Sequence, residues 1–132
     1  MSTTVNVELV ISGDEFDPST ISRILNLMPT QKWKKGDLVK NRYVRRNDST
    51  WSIGIGHQES SDIREQITNL LKVIGGKENE LFRLQKQYEV EILILVTINV
   101  YDSLKPVISF NHDILTFANA INATIDVDMY NF

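Results

Sequence analysis

The stretch DPSTISRILNLMPTQKWKKG, residues 17–36, decides how the first half of the chain folds. Asp17 is a suitable N-cap for a helix, because its carboxylate accepts hydrogen bonds from free backbone N–H groups, and Pro18 suits the first helical position. Four apolar residues then recur at the spacing of one buried helical stripe: Ile21, Ile24, Leu25 and Met28. Pro29 disfavours the helical conformation at the residue before it, so the pattern predicts a helix over 18–28 followed by a turn.

Strands are predicted on both sides of this stretch. Residues 4–12 alternate between apolar and polar side chains, which is typical of a half-buried strand. After the helix we expect a loop over 30–37 and a strand over 39–46. The Asn-Asp-Ser turn that follows predicts a hairpin whose second strand, 51–57, places Trp51 in the core.

The second half of the chain begins with two predicted helices. The first is capped by Ser60 or Ser61 and ends at a Gly-Gly pair, and a second over 77–87 completes an αα-hairpin. Residues 89–100 are the most apolar segment, so this strand is expected in the centre of the sheet with its middle covered on both faces. A short strand, a helix and a last strand are predicted at 106–110, 112–121 and 123–130.

Together these elements predict one α+β domain over residues 1–132, with an antiparallel or mixed sheet of about six strands packed against helices. Strand–helix–strand order at the start and again at the end suggests two ferredoxin-like halves. A chain of 132 residues buries enough surface for a core, and it has no cysteine for disulfides or thiolate chemistry. No apolar run is long enough for a bilayer and no signal peptide is evident, so we expect a soluble, cytoplasmic protein without a membrane partner.

Charge is distributed unevenly along the chain. The net charge is −3, yet residues 32–46 carry seven basic residues and one acidic residue, so this segment is +6 and the rest of the chain is −9. Separated charge of this kind steers association with an oppositely charged partner. We predict that six basic residues form a partner-binding surface: Lys32, Lys34, Lys35, Arg42, Arg45 and Arg46.

Three interpretations of this basic segment stay open. Lys and Arg interleaved with Trp33, Tyr43 and Trp51 can hold phosphates and stack bases, but a pI near 5.3 argues against nucleic acid as the partner. The segment can instead be a solvated hairpin that contributes only Trp51 to the core. The third interpretation is contact with an acidic protein partner.

The spacing of the titratable residues shows no catalytic or metal-binding motif, and we predict no cofactor. His57 and His112 lie in no nucleophile or zinc pattern, which favours ordinary structural roles. Asp126 and Asp128 project from one face of a strand and could offer oxygens to Mg²⁺ or Ca²⁺, although a solvated strand face explains them more simply. The two glycines within 52–56 lack the Lys-Ser/Thr pair of a phosphate loop, so we interpret them as strand positions that another group approaches closely.

Several motifs along the chain together resemble a known bacterial family. They are Gly13 before Asp17-Pro18 and Ile21, Leu27 before Pro29-Thr30, Gly36 after a basic loop, Trp51-Ser52, and Asp126-Val-Asp128-Met-Tyr130. In their order and spacing the chain is similar, over nearly its full length, to the domain of unknown function numbered 4279; Asn122 stands where that family usually has glycine. The resemblance implies a small cytoplasmic α+β protein of bacterial or phage origin, and it offers no catalytic residues to transfer.

Two functions from different classes remain as hypotheses. The first is a non-enzymatic protein-interaction domain, either immunity-type or accessory, because the chain has a complete core and a dipolar charge pattern but no catalytic motif. The alternative is a small-ligand-binding domain or small enzyme that uses Asp126, Asp128 or His57 in a pocket between sheet and helices. We also expect that a homodimer can form through the exposed edge of the final strand, which ends at Phe132.

Overall fold

The alternating strand near the N-terminus becomes the middle of the sheet. In the computed structural model, which describes residues 1–132, this strand is β1, Thr4–Gly13. Four side chains of β1 are fully buried on one face: Val5, Val7, Leu9 and Ile11. The residues between them lie half-exposed on the other face, because successive side chains of a strand point to opposite sides.

Nine further elements complete a six-stranded sheet with four helices. They are α1 (Pro18–Leu25), β2 (Gln31–Trp33), β3 (Ser49–Gly54), β4 (Gln58–Glu59), α2 (Ile63–Ile74), α3 (Glu78–Tyr88), β5 (Glu91–Val100), α4 (His112–Ala120) and β6 (Thr124–Asn131). The strand order is β2-β3-β1-β5-β6, and the short β4 pairs with the start of β1. Only β5 and β6 are parallel, so the sheet is mixed and the predicted α+β class is confirmed.

Two strand–helix–strand units occur, and their strand pairing differs. In β1–α1–β2 the strand β3 lies between the two strands, which is the split arrangement of ferredoxin-like folds. In β5–α4–β6 the two strands are adjacent and parallel, and α4 provides the crossover that a parallel pair requires. The two units therefore share an order of elements but not a topology.

The four helices cover one face of the sheet. A cluster of 25 buried hydrophobic residues joins the inward side chains of the strands to the helices. Trp51 of β3 is fully buried in it, and its Nε1 donates to Ser22 Oγ of α1 at 3.0 Å. Leu93 and Leu95 of β5 lie half-buried on the opposite, helix-free face. The expectation that β5 is covered on both faces is therefore wrong, and β1 occupies the centre of the sheet.

Helix α1 begins where the sequence predicts and ends earlier. Asp17 Oδ1 accepts a hydrogen bond from the backbone N–H of Ser19 at 2.9 Å. Asn26 adopts the left-handed conformation, with φ 53°, so the helix stops at Leu25. Asn tolerates that conformation at a helix C-terminus. Met28 is therefore 82% exposed and does not belong to the buried stripe.

Two predicted strands do not form. The segment 39–46 leaves the sheet, and the partner of β3 is β2, which lies where a loop was expected. The segment 106–110 makes only a single bridge, between Val107 and Asp62. Pro106 cannot donate to a strand ladder, which limits pairing there.

Helix α2 has a different cap from the one predicted. Asp62 Oδ1 accepts from the backbone N–H of Arg64 at 3.0 Å, whereas Ser60 Oγ accepts from the N–H of Asp62 itself at 3.1 Å. The Gly-Gly end of α2 is confirmed, with Gly76 at φ 86°. None of the four helices is both long and apolar enough to span a bilayer.

Candidate functional site

The predicted basic residues fall mainly on one projecting segment, residues 34–48, which connects β2 to β3 and which we call the arm. Its two sides are joined by backbone hydrogen bonds from Gly36 N to Arg46 O at 2.9 Å and from Val39 N to Val44 O at 2.8 Å. The arm is thus an irregular hairpin outside the sheet. Because the arm does not pair with the sheet, its side chains do not alternate between a buried face and an exposed face.

Apolar and basic side chains are exposed together at the tip of the arm. The chain turns at Asn41, which has φ 61°. Tyr43 is fully exposed, and Leu38 and Val44 are each more than half exposed. Arg42 stands next to Tyr43 in the chain and is exposed too. Aromatic residues and arginine dominate the energetic centres of protein interfaces, so this tip has the composition of a binding surface.

Three polar contacts hold the base of the arm against the sheet. The guanidinium of Arg46 lies 3.8 Å from the ring centroid of Trp33, and Trp33 Nε1 donates to Asp48 Oδ1 at 3.1 Å. Lys35 Nζ lies 3.0 Å from Asp14 Oδ1. The hydrogen bond to Asp14 and the charge of that carboxylate raise the pKa of Lys35. The base is therefore tied to the sheet, and the charges of Lys35 and Arg46 are engaged within the chain.

The six predicted partner-binding residues divide into two groups. Three contact groups of their own chain: Lys35, Arg45 and Arg46. Arg45 Nη1, for example, donates to the carbonyl oxygen of Gly36 at 2.8 Å. The other three are exposed with no ion pair: Lys32, Lys34 and Arg42. The sequence analysis did not distinguish these two groups, and it did not predict the apolar tip. The available signal was the presence of apolar residues between the cations, in a segment that has no strand partner in the structure.

The arm and an open cleft lie at the same end of the sheet. The register aligns Trp33 of β2 with Thr50 of β3, then with Ser12 of β1 and Glu91 of β5. The arm leaves the sheet directly after Trp33. At the start of β5 and β6, beyond β1, a cleft of about 620 Å³ opens. The arm thus leaves the sheet on its β2 side, and the cleft opens from β1 toward the β6 edge.

The cleft combines carboxylates with apolar and neutral polar groups. Its walls include Ser12, Gln85, Glu91, Leu93, Asn122 and Asp126. Both carboxylates are exposed, and neither forms an ion pair within the chain. Gln85 Nε2 donates to Asn122 O at 3.0 Å, which ties the end of α3 to the start of β6. The cleft is therefore an acidic surface with defined walls.

The histidines and the paired aspartates are not brought together. His57 Nδ1 lies 3.1 Å from Thr4 Oγ1, on the β4 side of β1, and His112 opens α4. Asp126 and Asp128 share the helix-free face of β6, two strands away from β1 on its other side. No group of three or more His, Asp or Glu side chains is placed to hold a metal ion.

The two glycines of the Gly-x-Gly segment play different roles. A Cβ on Gly54 would lie 2.7 Å from Glu8 Cγ, so the predicted close approach is confirmed there. Gly54 N also donates to Thr30 Oγ1 at 3.1 Å. Gly56 has open space around it and φ 81°, which makes it a turn position, so the prediction is wrong for Gly56.

Comparison with known proteins identifies the family. The family model named Domain of unknown function (DUF4279) matches residues 3–132, and the chain therefore belongs to this family. No curated protein matches the chain, and neither does any solved structure.

Proposed function

We propose that this member of a family without an assigned activity is a non-enzymatic protein-interaction domain whose arm binds an acidic protein surface. The observation that carries the proposal is the tip of the arm, where Tyr43 is fully exposed beside Arg42. Arg42 has no acidic partner in its own chain. An exposed aromatic ring next to an unpaired guanidinium gives both apolar contact area and charge to a partner.

The ordered base of the arm lowers the cost of binding. The contacts of Arg46 with Trp33 and of Lys35 with Asp14 favour one direction for the arm where it leaves the sheet. A partner then has less conformational freedom to remove when it binds, so more of the contact energy appears as affinity. The arm is thus suited to present its tip to another protein.

The charge pattern supports an acidic partner. Lys32, Lys34 and Arg42 are exposed and unpaired, while the chain outside residues 32–46 carries −9. A cationic projection on an acidic body attracts acidic surfaces to the arm and repels them elsewhere, which favours one docking orientation. The same acidity disfavours nucleic acid as the partner.

The setting that we propose is the bacterial cytoplasm, with an immunity-type or accessory role. Its support is the resemblance of the chain to its family and the small, acidic character of the domain. The immunity-type form predicts a toxin gene next to the gene for this chain. A survey of neighbouring genes without any toxin would contradict that form and leave the accessory role.

The test compares two charge reversals of equal size. Lys34→Glu with Arg42→Glu alters the arm, whereas Lys72→Glu with Arg83→Glu alters exposed positions on α2 and α3. We expect the arm variant to lose captured partners and to show a slower, less salt-dependent association rate, and the helix variant to behave like the wild type. Equal partners and equal association rates for both variants would contradict the proposal.

A second candidate function is small-ligand binding in the cleft at the start of β5 and β6. The observation in its favour is a cleft of about 620 Å³ that contains Glu91 and Asp126. A ligand that binds only the folded chain raises its melting temperature, so a thermal-shift screen with nucleotides and divalent cations tests this candidate. The shift should vanish in Asp126→Asn, and no shift with any compound would contradict ligand binding.

A further inference from the structure

We infer that the partner of the arm is a second copy of this chain, and that the tip of each arm docks in the acidic cleft of the other copy. This inference rests on the proposed function, because it requires the arm to bind protein. It names the occupant of the cleft as the segment around Arg42 and Tyr43. The product is a symmetric dimer with two identical contacts.

The tip and the cleft are complementary in charge. The cleft carries Glu91 and Asp126, and the tip carries Arg42 next to Tyr43. All three charged side chains are exposed and unpaired within the chain. Opposite charges that are each left without a partner in one copy become paired when the two copies meet.

The tip and the cleft also match in size and polarity. The volume of about 620 Å³ lies within the roughly 300–1,000 Å³ of typical ligand pockets, so the open cleft has room for a tyrosine side chain together with part of an arginine. Leu93 supplies an apolar wall, and Ser12 and Asn122 supply hydrogen-bonding groups for a phenol.

Their positions allow two contacts to close at once. The arm and the cleft lie at the same end of the sheet, as the alignment of Trp33 with Ser12 and Glu91 through β3 shows. When two copies face each other with this end of the sheet, a two-fold axis between them can bring each arm to the cleft of the other copy. Such an interface is closed and self-complementary, so it yields dimers and not filaments.

The other candidate surface for self-association is less favourable in the register centred on the middle of β6. Antiparallel pairing of two β6 edges centred on Val127 sets Asp126 opposite Asp128 of the second copy, and does so twice. Like charges directly opposite each other on neighbouring strands are destabilising. The arm-to-cleft contact pairs Asp126 with a cation instead.

The experiment is a charge swap measured by light scattering and sedimentation over a concentration series. We expect the wild type to dimerise and Arg42→Glu and Asp126→Lys each to weaken the dimer by about tenfold or more, because both contacts of each homodimer become repulsive. A mixture of the two variants should regain a dimer of one copy of each. In that mixed dimer the introduced glutamate faces the introduced lysine at one contact, and the native Arg42 faces the native Asp126 at the other.

Two control variants separate this interface from its alternatives. Asp128→Lys changes the same face outside the cleft and should keep the dimer, and so should Val127→Lys at the β6 edge. Arg42, Asp126 and Asp128 are exposed, so the variants at these positions should keep the wild-type circular dichroism and melting temperature. Val127 is 37% exposed at the edge strand, where a lysine can keep its stem along the apolar surface and its amine in solvent, so the fold should be kept there too. Loss of the dimer in Val127→Lys together with its survival in Arg42→Glu would overturn the inference in favour of edge pairing.

The remaining outcomes distinguish this inference from the proposed function. A wild type that stays monomeric at every concentration overturns the inference, while loss of captured partners in the arm variant would still support the proposed function. A dimer that survives both Arg42→Glu and Asp126→Lys also overturns it. A mixed dimer regained from two monomeric variants supports both.

Discussion

The helix-covered face of the sheet and the arm are stabilised by opposite means. The face buries 25 hydrophobic residues in one cluster, whereas the arm has a few hydrogen bonds, one ion pair and one contact between Arg46 and Trp33. Apolar burial contributes about 25 cal/mol per Å², while an exposed polar contact contributes only about 1 kcal/mol or less. The difference teaches that stability is located on the helix-covered face, whereas the arm, through which we propose that the chain binds a partner, contributes little to it. Most changes in the arm should therefore leave the fold intact.

The largest expected effect compares one aromatic residue from each region. Trp51→Ala should lower the free energy of unfolding by about 3–5 kcal/mol, because it leaves a cavity in the core and removes the partner of Ser22 Oγ. Tyr43→Ala removes a fully exposed ring and should change the free energy of unfolding by about 0.5 kcal/mol or less. Urea denaturation measures both. Similar losses for the two variants would contradict the separation of the two regions.

The second prediction tests whether close packing extends to the helix-free face. Gly54→Ala should cost about 1–3 kcal/mol, because its Cβ would lie 2.7 Å from Glu8 Cγ and the side chain of Glu8 must move. Truncation of that side chain in the double variant Gly54→Ala/Glu8→Ala should recover part of the loss. Additive effects in this double-mutant cycle would show that the two residues are not in contact.

A smaller effect tests the base of the arm. Arg46→Ala removes the guanidinium over the ring of Trp33, a contact worth about 0.5–1 kcal/mol at an exposed site. We expect faster hydrogen exchange at the backbone N–H of Gly36, which pairs with residue 46 across the arm, and unchanged exchange in α2. Arg23→Ala, an exposed position on α1, is the control. Equal exchange at Gly36 in both variants would contradict an anchoring role for Arg46.

The smallest effect is a pH dependence at the cap of α2. Hydrogen bonds from the Arg64 side chain, and next from its backbone N–H, hold the pKa of Asp62 below its ordinary value. A carboxyl group with a lowered pKa in the folded state stabilises the fold above its unfolded pKa, and this contribution disappears as the pH falls through the folded pKa. Asp62→Asn keeps a cap but loses the charge. The wild type and the variant should therefore differ in free energy of unfolding at neutral pH, and the difference should disappear in acid. Arg64→Gln should reduce the difference, and a difference that persists at the lowest pH would contradict the ionic origin.

Much of the local structure could be predicted from the sequence. The cap at Asp17 follows from residue type and position, since a short polar side chain before an apolar periodic segment satisfies the first free N–H groups. The prediction failed at Asn26, where the chain left the helix before the proline that was expected to end it. Asparagine tolerates the left-handed conformation, so a helix can end at Asn26, but the presence of asparagine does not require the helix to end there.

The candidate site was predictable only in part. The clustering of cations in residues 32–46 is visible in the sequence, and the arm brings most of them to one end of the molecule. The exposure of Tyr43 was not predictable, because alternation within a supposed strand would have placed it beside Val39 on one face. The cleft was also not predictable, because its walls come from four separate segments of the chain, which include Ser12, Gln85 and Asp126.

The sequence by itself determined which segments become capped helices and alternating strands, and where the positive charge lies. Those properties depend on hydrogen bonds and side-chain periodicity within a few neighbouring residues. Only the tertiary structure decided that β2 pairs with β3, that residues 34–48 leave the sheet as an arm, and that a cleft opens beside it. These outcomes depend on which distant segments bury the most apolar surface together. No single stretch of the chain determines the free energy gained by that burial.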